Sequence, residues 1–395
     1  MTFMRILIVK KIKENLHGTV TLAERLFNYF NENGHPCFLT KYCESKLTDT
    51  FKDQQKLLPV SEWNIGKYSQ EYKGIGFDVI YCLTTDDAVT GYRLQNRFFK
   101  TAKVFTGIYH PNQFMVPTDY FPNYREYLNR KIIRETNPEN FIFMDEPCKR
   151  SHENYYSTDL SSSPVVPLPM DIKGYELCEN YKKDKVVSVG RLTTFKPYPV
   201  GVIEAMRSLK AEGNLAFKYY IIGDGSEFSG LKNSIREWGM TEDVILEGTV
   251  AYKDINEKIK DAYLFIGMGT TVGEAAGIGL PALVAIDENK DLNYGLLGRI
   301  PENILGEKGE NIKMLDYKSS LTAFYSLSDQ EYREERIQSI KMAGFYKTDN
   351  IAKLFLNAFD GGGVQNFKIS FFQNLLYILT KIQSRFFIKK TYRYK

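Results

Sequence analysis

The chain has 395 residues, 43% hydrophobic and 25% charged, with a net charge of +4 at pH 7. It is too long for one ordinary core, so two domains or more are expected, and this balance is that of a soluble globular protein. Seven cations and no acid lie between Gly361 and Lys395, so the first 360 residues carry −3, which excludes broad nucleic-acid binding by the body.

Five cysteines (Cys37, Cys43, Cys82, Cys148, Cys178) form no CxxC pair and share no metal-ligand spacing with the four histidines. An odd number of thiols points to a reducing compartment. "MTFMRILIVKKIKEN" lacks the apolar region of a signal peptide. No run approaches the roughly 18 apolar residues of a spanning helix, so a cytosolic protein is expected.

The N-terminal half alternates strands and helices. "RILIVK" (5–10) reads as a buried strand, and 19–35 carries Leu22, Leu26, Phe27 and Phe30 at helical spacing until Gly34 stops it. "PCFLTK", "DVIYCL", "AKVFTG", "NFIFM" and "PVVPL" read as further short strands. A second series follows near 167–185, with strands at 185–190, 217–222, 243–248, 262–267 and 281–286 and helical stretches such as "PVGVIEAMRSLKAEG" and "GLKNSIREWGM" between them. The pattern predicts an α/β protein of two doubly wound parallel domains, residues 1–172 and 173–360, with a tail at 361–395. The last helix, 349–360, either closes the second domain or crosses back to the first.

The stretch "IGMGTTVGEAAGIGLPALVAI" (266–286) reads strand, glycine turn, helix, strand. Thr270 or Thr271 can cap a short helix. Its N-terminus lies at the carboxyl edge of a parallel sheet, where unpaired N–H groups suit a phosphate. Gly267 and Gly269 let the backbone approach a ligand. Glu274, a turn further on, is poorly placed for a phosphate and better used to accept hydrogen bonds from hydroxyls such as a ribose's. Taken alone, the stretch is equally a tight βαβ turn with a surface glutamate. "SVGRLTTFK" (188–196) places Arg191 and Lys196 after another strand at the same edge. Singly these are solvated loop charges; together with the helix N-terminus they suit a diphosphate.

"VGRLTTFK", "IIGDG" (221–225), "VILEGTV" (244–250) and "EAAGIGLPALVA" (274–285), in that order, resemble the landmarks of the retaining glycosyltransferases of family four. "HGTVTLAERLFNYFNENGH", "TGIYH" (106–110) and "PLPMD" (167–171) agree more loosely, and the resemblance spans about residues 4–360. It implies the GT-B fold, two Rossmann-like domains facing across a cleft. It also implies a nucleotide-sugar donor in the second domain, with UDP favoured over GDP, and a metal-independent reaction with no cofactor. By that resemblance Arg191 and Lys196 neutralise the diphosphate with His110 facing the transferring sugar. Gly18, Gly190, Gly223, Gly269, Thr270 and Thr271 meet the nucleotide, and Glu274 holds the ribose. The family's first acid, eight positions before Glu274, is absent: Ile266 stands there. Backbone N–H groups of "GMGTT", or contacts from "DENKDLNYG" (287–295), are the candidates to replace it.

The other histidines read as structural: His35 a turn residue, His152 in a polar segment, His17 a loop residue. In the tail, Phe371, Leu375, Ile378, Ile382 and Phe386 share a helical stripe among basic residues. That predicts an interfacial helix on an anionic membrane surface, or a helix packed back on the first domain. Aromatics and cations in "FPNYREYLNRKIIRE" (121–135) suit the same surface, a phosphorylated acceptor or a solvated helix. The expected role is transfer of a sugar to a glycan or lipid-linked acceptor at the inner face of a bacterial membrane. The rivals are an epimerase or inverting transferase on the same fold, or an inactive scaffold or nucleotide-sugar sensor.

Overall fold

The computed structural model describes residues 3–12, 18–42, 51, 53–115, 124–172, 180–301, 304–308, 312–365 and 367–391, with only the backbone course from 383 to 391. His17, Cys43, Cys178 and the Phe386 side chain lie outside what is described. Two compact units form: Met1–Pro169 with Thr348–Lys395, and Met170–Lys347.

The first unit contains β1 (Ile6–Val9), α1 (Gly18–Glu32), β2 (Cys37–Lys41), β3 (Leu57–Pro59), β4 (Val79–Cys82), α2 (Thr85–Arg97), β5 (Lys103–Ile108), α3 (Tyr124–Glu135), β6 (Phe141–Phe143) and α4 (Glu146–Tyr156). The strands run parallel in the order β3-β2-β1-β4-β5-β6. All four residues of β1 and of β4 are buried, as expected of strands covered on both faces. Helix α1 turns Leu22, Leu26, Phe27 and Phe30 inward, and α2 is capped by the Thr84 hydroxyl, which accepts from the Asp87 N–H at 3.2 Å.

Two expectations from the sequence do not hold in this unit. "PVVPL" forms a single bridge, Phe143 to Val165, rather than a strand. Pro164 and Pro167 have no N–H to extend a ladder. His152 is not in a polar setting but fully buried. Four-residue spacing puts Cys148, His152 and Tyr156 on one inward face of α4. The ring stands against Phe114 and Phe143, and burial pushes its pKa down to about 4.

The second unit contains β7 (Lys182–Val189), α5 (Tyr198–Ala211), β8 (Lys218–Ile222), α6 (Phe228–Glu237), β9 (Val244–Gly248), α7 (Ile255–Ile259), β10 (Ala262–Gly267), α8 (Thr270–Gly277), β11 (Ala282–Ala285), β12 (Leu292–Leu296), β13 (Leu315–Asp316), α9 (Tyr317–Tyr325) and α10 (Asp329–Phe345). The sheet order is β13-β12-β11-β10-β7-β8-β9, and β12 is antiparallel to both its neighbours. The sequence reading named no element between 287 and 348, where β12, β13, α9 and α10 lie. Tyr332 of α10 stacks on Tyr263 at 4.1 Å and donates to its carbonyl, tying that region to β10.

The chain then returns to the first unit. Helix α11 (Thr348–Gly361) sets Phe359 against Phe30, Tyr81 and Phe105. Of the two options read for the last helix, the structure takes the return. Buried Asn140 donates to Val104 O and Gly363 O at 2.8 and 2.9 Å, pinning the glycine run that follows.

Helix α12 (Phe371–Thr391) packs beside α3 with Tyr377 and Ile378 buried. Lys381 pairs with Asp86 at 2.7 Å, and Tyr377 donates to the same carboxylate. Burial alone would raise the Asp86 pKa; Arg125 and Lys381 outweigh it and hold the carboxyl at about 2. The stripe read from the sequence is therefore split. Ile378 is inside, while Phe371 (74% exposed), Phe372, Leu379 and Ile382 stay outside. On α3, Arg125 and Arg130 are engaged by Asp86 and Glu126.

Candidate functional site

In the second sheet the strand order reverses between β7 and β10. The crevice beyond the carboxyl ends of such strands is where a doubly wound sheet binds ligands. Most of the residues singled out by sequence stand at this edge.

From β7 the chain enters Gly190–Pro197. Gly190 N–H donates to Ile222 O and Leu192 N–H to Asp224 O, both at 3.0 Å, so this loop lies flat on the one after β8. The approach demands a glycine: Gly223 has φ +144°, and a Cβ there would stand 1.9 Å from the Gly190 oxygen. Lys196 folds back over the loop, its Nζ 3.7 Å from where a Gly190 Cβ would be. Arg191 is exposed and Lys196 half-buried. Burial lowers the Lys196 pKa, and the charge of Arg191 lowers it further, against the pull of Glu307 and Asp287. Two cations that disfavour one another in this way are relieved by an anion between them.

At the end of β10 the turn Gly267–Thr271 opens α8. The expected threonine cap is replaced: Gly269 is the capping residue, at φ +75°, and the Thr271 hydroxyl turns back to Met268 O at 3.3 Å. A side chain is disfavoured at that φ, so glycine takes the position. Glu274, in the second turn of α8, accepts from the Tyr252 hydroxyl at 2.9 Å. Beside it is a cavity of about 80 Å³ lined by Asp171, Tyr252, Lys253, Ile255, Asn256 and Glu274. Tyr252 was missed by the sequence reading; nothing in its surroundings marks it.

Two carboxylates were also missed as a pair. Asp287 was named only within "DENKDLNYG", and Glu307 not at all. Strands β10 and β11 pair Gly267 with Val284, so Asp287 stands three residues past that register at the same edge. Its N–H donates to Gly306 O at 2.7 Å. Gly269 N–H donates to Leu305 O at 2.5 Å, and Leu305 N–H donates to Glu307 Oε2 at 3.0 Å. Segment 304–308 thus lies along the glycine turn. Burial, then Glu288 nearby, pushes the Asp287 carboxyl up to about 6.

Gly18 and His110 belong to the first unit, at the carboxyl edge of its own sheet. Gly18 is the first residue of α1, with open space where a Cβ would stand. His110 is exposed two residues beyond β5, and its Nδ1 accepts from the Asn112 N–H at 3.1 Å.

Two Rossmann-like units, the second with a crevice of this kind, define the GT-B architecture. Residues 176–288, within the second unit, match the profile of "Glycosyl transferases group 1". No curated protein matches the chain. Among solved structures it is similar to the lipopolysaccharide outer core galactosyltransferase WaaB in its apo form (17% identity, TM-score 0.60, 90% of this chain and 99% of that one). It is similar to Anabaena HepE in complex with UDP (11%, 0.67, 90% and 100%). A third is an S. aureus TarM mutant in complex with Fondaparinux, alpha-GlcNAc-glycerol and UDP (11%, 0.63, 90% and 99%). At these identities the likeness is one of fold.

Proposed function

We propose that the chain transfers a hexosyl group, with retention, from a nucleoside-diphosphate sugar to a glycan or lipid-linked acceptor. The observation that carries this is the pairing of Arg191 and Lys196 with the glycine turn of α8 across the β7/β10 crossover. Breaking the sugar–phosphate bond builds negative charge on the leaving diphosphate. Fixed cations and a helix N-terminus stabilise that charge without rearranging. Glu274 takes the ribose hydroxyls, with Tyr252 holding its carboxylate. Gly18 and His110 keep the roles that the family resemblance implies. UDP is the favoured nucleotide, since HepE and TarM were both solved with it.

Calorimetry with UDP, GDP, ADP, CMP and NAD is the test. One nucleoside diphosphate is expected to bind, with UDP first. A chain that binds none of them would instead be an inactive scaffold, the reading favoured by Ile266 in the place of the first acid.

We further propose that the acceptor is met at an anionic membrane surface. No helix among the described residues is long and apolar enough to cross a membrane. The exposed edge Phe371, Phe372, Leu379 and Ile382 lies on α12, which runs into a basic terminus. The full chain should sediment with phosphatidylglycerol vesicles and not with phosphatidylcholine ones. Phe371→Ser with Phe372→Ser should cut that partition by at least about tenfold, from the lost apolar burial. Equal partition of both proteins would remove α12 from this role.

A further inference from the structure

The site as described accounts for the diphosphate and the ribose, but not for Asp287 and Glu307. Both reach the edge that holds the cations. Asp287 does so by strand register, three residues past the Gly267–Val284 pair. Glu307 does so through a chain of hydrogen bonds: Gly269 N–H to Leu305 O, Leu305 N–H to Glu307 Oε2, and Tyr294 hydroxyl to Glu307 O at 2.9 Å. The segment packs closely on the turn and on β11. Gly306 sits at φ +126°, where a Cβ would come within 2.6 Å of Met268 Cβ and 2.7 Å of Ala285 O.

Carboxylates in this position are a liability to a phosphate. They lie close enough to Lys196 to act on its charge, and each would repel the diphosphate that Lys196 attracts. Their presence makes sense if they meet a group that donates hydrogen bonds. The Asp287 Oδ1 atom is buried with no hydrogen-bond partner in the structure. A buried acceptor left in this way is destabilising unless a ligand or water completes it. Next to a diphosphate, the neutral, donor-rich group that completes it is the sugar the diphosphate carries.

We propose that Asp287 and Glu307, held along the Gly267–Thr271 turn by strand register and by segment 304–308, accept hydrogen bonds from hydroxyls of the transferring sugar and select it. This rests on the nucleotide-sugar reading above and deepens it. The pair lies beside the turn that follows Ile266, the position where the family's first acid is absent. Hydroxyls binding there favour the charged carboxylate of Asp287, whose ordinary ionisation burial opposes.

The test compares UDP with UDP-glucose, UDP-galactose and UDP-N-acetylglucosamine by calorimetry, on the unmodified chain, Asp287→Asn and Glu307→Gln. For the preferred sugar nucleotide, each variant should bind about 10- to 100-fold more weakly, the loss of a hydrogen bond to a charged group. UDP itself should bind equally well or slightly better, because a negative charge has left the neighbourhood of Lys196. These opposite directions separate the role from mere damage to the loop, which would weaken both ligands and lower the melting temperature. Parallel loss of UDP and the sugar nucleotide, or no change in either, would overturn the role while leaving the diphosphate site standing. An unmodified chain that binds UDP but no sugar nucleotide would also overturn it. An unmodified chain that binds no nucleoside diphosphate would overturn the donor site and this role with it.

Discussion

Lys196→Ala is expected to lower kcat/KM for a nucleoside-diphosphate sugar about 100- to 1,000-fold, the scale of losing one fixed charge stabiliser at a reacting oxygen. The loss should fall mainly on kcat, because the charge on the diphosphate grows as the sugar–phosphate bond breaks. Steady-state kinetics with Lys196→Arg alongside would report it. The arginine variant should recover part of the rate, since charge is kept and position is not. The pH dependence provides a second readout. Burial and Arg191 lower the Lys196 pKa, so its charge is lost at a lower pH than an ordinary lysine's. A bound diphosphate favours the charged form. Binding should therefore weaken as the pH rises through that lowered pKa, with proton uptake in the same window. Lys196→Ala should abolish this dependence. A variant within threefold of the unmodified rate would remove Lys196 from the chemistry.

Glu274→Ala should weaken UDP about 10- to 100-fold, since a carboxylate binding two hydroxyls makes charge-assisted bonds of about 1.5–3 kcal/mol each, partly repaid by water. The sharper measurement compares UDP with its 2′-deoxy analogue. The unmodified chain should prefer UDP, and Glu274→Ala should bind both alike. Tyr252→Phe should cost only a few-fold, because the hydroxyl orients the carboxylate at 2.9 Å without replacing it. If Glu274→Ala kept its preference for the ribose, the glutamate would be serving the fold of α8 and not the nucleotide.

Where the chain's own backbone makes the site, the sequence is readable. Gly223 and Gly269 both sit at positive φ, a conformation that favours glycine within the turn itself, so both turns could be recognised from local residues. Arg191 and Lys196 follow the end of β7 within seven residues, so the strand alone brings them to the edge. Glu274 is carried by the helix that the glycine turn starts. Local reading erred where a neighbour decides. Thr270 and Thr271 are ordinary capping residues, but the turn places Gly269 at the cap, at φ +75°, with its N–H bonded to Leu305 O. His152 was read from its polar neighbours, while the helix period sets it with Cys148 and Tyr156.

Periodicity and residues a few positions apart suffice for two doubly wound α/β units, the glycine turns, the cation pair and Glu274. The rest came from long-range packing. It sent α11 back to the first unit, where Phe359 finds Phe30, Tyr81 and Phe105. It split the α12 stripe, burying Ile378 and leaving Phe371 outside. It brought Tyr252 to Glu274 across 22 positions and Glu307 to the turn at Gly269 across 38. Such meetings depend on strand order and on which loops fold over a sheet edge. Those are properties of long-range packing, and no local pattern of residues encodes them.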